Sequence, residues 1–202
     1  MRELRCGSVP VLTDVVDGLD RAAQWPESSV AAAFVFGSAL AGASDLDHVE
    51  VALVVTDAPE VVPWMSRPAH LEALAAGLRF TNLPVSWKWR PAAWPVWNDE
   101  IEGAARIWTA ADGRDQSVLE ALASGRLDRA GIEKPADTDE LVAELIVERD
   151  VGRRRLATVT ASFHDRDWRR EHRGGGIYPE DHLWWATAGF LDLDDAIRRL
   201  ER

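Results

Sequence analysis

The chain is 202 residues long, 47% of them hydrophobic, with a formal net charge of −11. That hydrophobic share suits a packed globular chain rather than a disordered one, and the negative charge argues against general nucleic-acid binding, because phosphate backbones are repelled. No apolar run reaches the roughly 18–20 residues that span a bilayer, MRELRCGSVP lacks the apolar centre of an export signal, and the single cysteine, Cys6, cannot form an internal disulfide; a cytoplasmic chain with no membrane partner is expected.

In chain order, residues 9–24 carry Val11, Val15, Leu19 and Ala22–Ala23 at helical spacing, with Pro10 near the start and Pro26 beyond the end. Val30–Phe36 and Val49–Val55 are short, apolar, rich in Val and Phe, and bounded by turn residues, so they read as buried strands. A helix is predicted over 67–79, with apolar positions Leu71, Leu74, Ala75 and Leu78. Val85, Trp87 and Trp89 then alternate with Ser86, Lys88 and Arg90, a strand with one polar face, and Pro84 and Pro91 put it near a sheet edge. Residues 95–110 read as a short helix with Asp99, Glu100 and Glu102 in its early turns; Ile107–Thr109 suits a further short strand.

Residues 115–125 form a short predicted helix ending at Gly125, followed by a linker over 128–135. Asp137 and Glu140 make a capping box for a helix of roughly 25 residues, with Gly152 in its apolar stripe able to allow close helix approach. Three consecutive glycines, Gly174–Gly176, break the pattern. The last helix starts at Pro179, has Glu180 and Asp181 in its first turn, where the helix dipole favours them, and repeats Leu183, Ala186, Phe190, Leu193, Ile197 and Leu200 at spacings of three and four. Together these elements predict an α+β fold: a small mixed sheet flanked by helices over residues 1–112, then a C-terminal helical hairpin or bundle over 113–202.

Four features carry candidate chemistry. Gly37 and Ser38 close the first strand, where backbone N–H groups can meet a phosphate. Asp45, Asp47 and Glu50 follow, the residue type a divalent metal beside that phosphate needs. Between Arg149 and Arg173, eight Arg stand against Asp150, Asp165, Asp167 and Glu171; this basic island suits a helix face paired with acids elsewhere, or a local RNA contact. His164, Asp165, His172, Asp181 and His182 bring potential metal ligands together, although their spacing matches no tight ligand pattern and a polar turn accounts for them better. Of the ten Trp, six lie between Trp64 and Trp108, a cluster for core packing in preference to a nucleobase platform.

The order of helix, strand ending in Phe36-Gly37-Ser38, loop, second strand, and later third strand resembles the nucleotidyltransferase superfamily that includes DNA polymerase β and the minimal nucleotidyltransferases. The resemblance spans about residues 9–112. It implies a Gly37-Ser38 phosphate corner, with Lys88 near the phosphates. Asp45 and Asp47 resemble the family's D-x-D metal pair, and the metals, Mg in an active member, would activate a hydroxyl and stabilise pyrophosphate. This chain departs from the pattern. Only residues 39–44 separate Ser38 from Asp45, the second strand carries one acid, Glu50, with Ala52 at its partner position, and the third strand carries none. The departures favour a nucleotide- or protein-binding regulatory module without transfer activity over an active Mg-dependent nucleotidyltransferase acting on a small-molecule or protein hydroxyl. In the helical half, Arg166 and His172 resemble the ribonuclease motif of HEPN domains, which implies a toxin–antitoxin-like interaction protein; separately, the C-terminal helices offer a face for a protein partner or a homodimer.

Overall fold

The structure, a computed structural model, describes residues 8–41, 46–174 and 176–202. Cys6 and Asp45 lie outside the described residues. The chain is α+β, built on one five-stranded mixed sheet with helices on both faces. The strands are β1 (Val30–Phe36), β2 (Val49–Val55), β3 (Val85–Pro91), β4 (Ala104–Thr109) and the short β5 (Gly113–Arg114). Their order across the sheet is β3-β2-β1-β4-β5, with β2 and β3 parallel and the other neighbours antiparallel. β3 is an edge strand, as its flanking prolines indicate.

Strand alternation divides the core in two. Ala33, Val35, Val49, Val51, Leu53 and Trp89 face a layer made by α1 (Ser8–Ala22), α2 (Ala69–Gly77) and α3 (Gln116–Ala123). Phe34, Phe36, Ala52 and Val54 face the opposite way and pack with Leu145 of α4 (Thr138–Ser162) and Leu193, Ala196 and Ile197 of α6 (Pro179–Leu200). Covering both faces explains why β1 and β2 read as almost continuous apolar runs rather than alternating ones. α4 and α6 form an antiparallel hairpin, with short α5 (Arg166–Glu171) between them. Asp137 caps α4 by accepting from the Glu140 N–H at 2.9 Å, and Glu140 reaches back to the Ala136 N–H at 2.5 Å. The helix has the 25 residues its periodicity predicts.

Three expectations change. The helix expected over 95–110 does not form. The Asn98 side chain accepts the Glu100 and Ile101 N–H groups at 3.0 and 2.9 Å, an alternative to helical pairing. Ala104–Thr109 instead pairs with β1. The polar face of β3 is covered at one end, at Arg90, while Ser86 and Lys88 are half-buried. Arg90 is 0% exposed and forms a two-pronged ion pair with Glu148 of α4, also 0% exposed, at 2.8 and 2.6 Å. Arg90 also donates to the carbonyls of Pro95 and Trp97 and lies between the rings of Trp64 and Trp94. Finally, a Cβ at Gly152 would meet only the Phe190 Cα at 3.9 Å, an ordinary contact. The close approach is at Gly189 of α6, where a Cβ would lie 2.4 Å from the Trp64 carbonyl oxygen. The loop after β2 is clamped there, its Trp64 indole N–H donating to Asp192 at 2.6 Å.

Candidate functional site

The strand exit was the leading candidate. Gly37 has φ +66°, in the region that favours glycine, and starts a 3-10 turn over Gly37–Ala39. Phe36 pairs with Glu50 across the β1–β2 ladder, which brings the Glu50 side chain to this corner. The Ser38 N–H donates to Glu50 Oε2 at 2.9 Å. A Cβ on residue 37 would fall 1.9 Å from the same oxygen and displace the Glu50 carboxylate, while the backbone angle itself favours glycine. The anion seated on the Gly-Ser corner is therefore the chain's own carboxylate.

The remaining candidates do not gather around it. Asp47 is exposed. Lys88 donates to Glu100 at 3.0 Å and lies over the Trp64 ring, 5.1 Å from its centroid. Among the described residues no group of three or more His, Cys, Asp and Glu side chains is arranged to hold a metal ion. A pair of Mg ions needs several convergent carboxylate oxygens, whereas Glu50 already engages a backbone donor and β3 offers a cation. The described donor set does not fit such a metal pair.

The helical half holds a different site. A cavity of about 480 Å³ opens between the loop after β2, α4, the end of α5 and the start of α6. Its wall is set by local capping. Asp165 accepts the Asp167 and Trp168 N–H groups at 3.0 and 2.8 Å and starts α5. Asp181 accepts the Tyr178 N–H at 2.7 Å and starts α6. Two of the five residues considered as metal ligands are thus helix caps. A third, His164, is exposed beside Phe163. The other two, His172 and His182, form an aromatic wall. His172 stacks on Trp168 with centroids 4.2 Å apart, and His182 meets His172 edge-on at 5.0 Å and Trp185 at 5.5 Å. His172 Nδ1 lies 3.0 Å from the Trp168 carbonyl oxygen. A carbonyl only accepts, so Nδ1 carries the proton and Nε2 is left for other partners.

Arg67, Arg155 and Arg173 also line the cavity, as do Glu60 and Glu171. Arg67 sits between the rings of Trp87 and Trp185 and pairs with Glu72 at 3.6 Å. Glu60 is engaged by Arg154 at 3.5 Å. Arg155 is half-buried and makes no hydrogen bond or ion pair with the described residues, unlike Arg149, Arg153, Arg154, Arg169 and Arg170 of the same basic island. Burial pulls its guanidinium below the ordinary range, with no carboxylate opposing the shift. Burial, and then the positive potential of His172 and Arg155, push His182 below its ordinary 6.5, opposed by Asp181.

Arg166 is exposed at the start of α5 and is not part of the cavity wall, whereas His172 is. The two residues of the HEPN-like spacing are not brought together there. Arg155 escaped the sequence reading because it looked like one more Arg of the island. A signal existed: Gly152, Arg155 and Val159 are three and four apart, on the inward stripe of α4.

A family model described as a domain of unknown function (DUF7711) matches residues 5–199, so the chain belongs to that family. No curated protein and no solved structure matches it.

Proposed function

We propose that this DUF7711 member is a binding module of nucleotidyltransferase-like architecture that transfers no nucleotidyl group. The observation that carries this reading is the Ser38 N–H bond to Glu50, which places a protein carboxylate where a triphosphate would be cradled. The element order α1, β1, Gly-Ser turn, β2, α2, β3 supports the architectural part, as do the antiparallel β1–β2 and parallel β2–β3 pairings. Against transfer stand the exposed Asp47, the Lys88–Glu100 pair and a third strand without a carboxylate. With Glu50 in place, a nucleotide phosphate entering the corner would meet a like charge and lose the Ser38 donor.

The test is pyrophosphate release and protein labelling with Mg·ATP and Mg·GTP, with small hydroxyl acceptors present. Neither signal is expected, and any change in melting temperature with Mg·ATP should be the same in Asp47→Ala. Pyrophosphate release that disappears in Asp47→Ala would overturn the reading.

A further inference from the structure

We propose that the cavity between the β2–α2 loop and the α4–α6 hairpin binds the phosphate group of a small anion, free phosphate or a phosphomonoester, held by Arg155 with His172, His182 and Arg173 around it. The site shares no residue with the Gly37-Ser38 corner and stands whether or not that corner is inactive.

The cavity's size is within the range of small-molecule sites, on the order of 300–1,000 Å³. Its charge runs against that of the chain. Three Arg and three His line it in a protein of net charge −11; one of the His, His70, is paired with Asp57 at 2.9 Å. Of the two wall carboxylates, Glu60 is engaged by Arg154, and Glu171 is exposed at the end of α5. Arg155 is the centre of the argument. A guanidinium held half-buried without a carboxylate is costly unless an anion completes it, and its planar fork matches the oxygens of a phosphate. His172 adds an Nε2 whose orientation is fixed by the Nδ1–Trp168 bond. Burial, and then the potential of His172 and Arg155, hold His182 below its ordinary 6.5; a bound phosphate opposes that potential and favours the protonated imidazole. Arg173, over the Tyr178 ring, is placed at the rim.

The test titrates the full chain at mildly acidic pH with inorganic phosphate and, separately, with AMP, read by calorimetry and by histidine Cε1–H NMR. Both probes are expected to shift the His172 and His182 signals while His48 and His164 stay still. Tighter binding of AMP assigns the ligand to an organic phosphomonoester, and equal binding assigns it to free phosphate. Arg155→Met is expected to weaken binding about tenfold or more, the effect of losing a charge-assisted contact. Arg166→Met, which removes the same charge outside the cavity, leaves binding unchanged. Unmoved His172 and His182 signals at saturating phosphate overturn the proposal, and this arm needs no variant to fold. Equal weakening by the two Arg substitutions overturns it too, as does an RNA oligonucleotide that binds and is not displaced by phosphate or AMP.

Discussion

Removing Arg90 is the most informative perturbation of the fold. Arg90 and Glu148 tie the edge strand β3 to α4, and both are 0% exposed. Arg90→Met removes the guanidinium but keeps much of its volume between Trp64 and Trp94. It leaves the Glu148 carboxylate buried without a counter-charge, and it takes away the donor that serves the Pro95 and Trp97 carbonyls. Breaking one side of such a pair costs about 3–5 kcal/mol, which for a chain of this length is a fall in Tm of about 6–20 °C. Glu148→Gln should cost less, because Arg90 retains two carbonyl acceptors and two aromatic faces. The double substitution Arg90→Met/Glu148→Gln should cost less than the two single losses together, since no buried charge is then stranded. Urea melts of the four proteins measure this cycle, with an unchanged m value expected. A loss below about 1 kcal/mol for Arg90→Met, the size of a surface ion pair, would refute the claim that this contact anchors the helical layer.

The other predictions concern packing and charge. Gly189→Ala places a methyl group 2.4 Å from the Trp64 carbonyl, so thermal melts should show a loss of about 1–3 kcal/mol, the usual range for overpacking. Gly37→Ala combines positive φ with a Cβ 1.9 Å from Glu50 Oε2; it should cost at least about 1 kcal/mol, and the partial relief from adding Glu50→Ala is the diagnostic second measurement. Burial, with the neighbouring Glu148 charge, raises the Glu144 carboxyl above its ordinary 4.5, while one of its oxygens is buried without a hydrogen-bond partner. Its ionised form therefore opposes folding, so Glu144→Gln should raise Tm at neutral pH and lose that advantage as pH falls towards 4.5. His182 behaves in the opposite sense. Its folded value lies below 6.5, so the unfolded chain binds more protons and stability falls as pH drops through 6.5. His182→Gln should flatten that part of the stability–pH profile.

Much of the fold is local and legible. The limits of β1 and β2 follow from short apolar runs between turn residues, and α4 and α6 follow from caps and spacings of three and four. These signals are readable because each residue's preference is settled by neighbours a few positions away. At the candidate sites the sequence identified residue types but not their partners. Ser38 and Glu50 were both visible as phosphate-corner residues. Only the β1–β2 register, which pairs Phe36 with Glu50, makes them partners of each other. His172 was visible as a chemical group, but its joining of Trp168, His182 and Arg155 around a cavity depends on how α5 folds back between α4 and α6.

By itself, the sequence determined an α+β chain with a buried strand pair, a glycine-dependent corner and a long capped helix, all features set by short-range sterics and hydrogen bonding. Tertiary structure decided the rest. Residues 104–109 became a strand because β1 offered an unpaired edge, and Arg90 became a core residue because α4 brought Glu148 to it. Arg155 makes no ion pair among the described residues, while Glu60 of the same cavity wall pairs with its sequence neighbour Arg154. Each of these outcomes is a competition among residues far apart in the chain, and only their placement in space settles it.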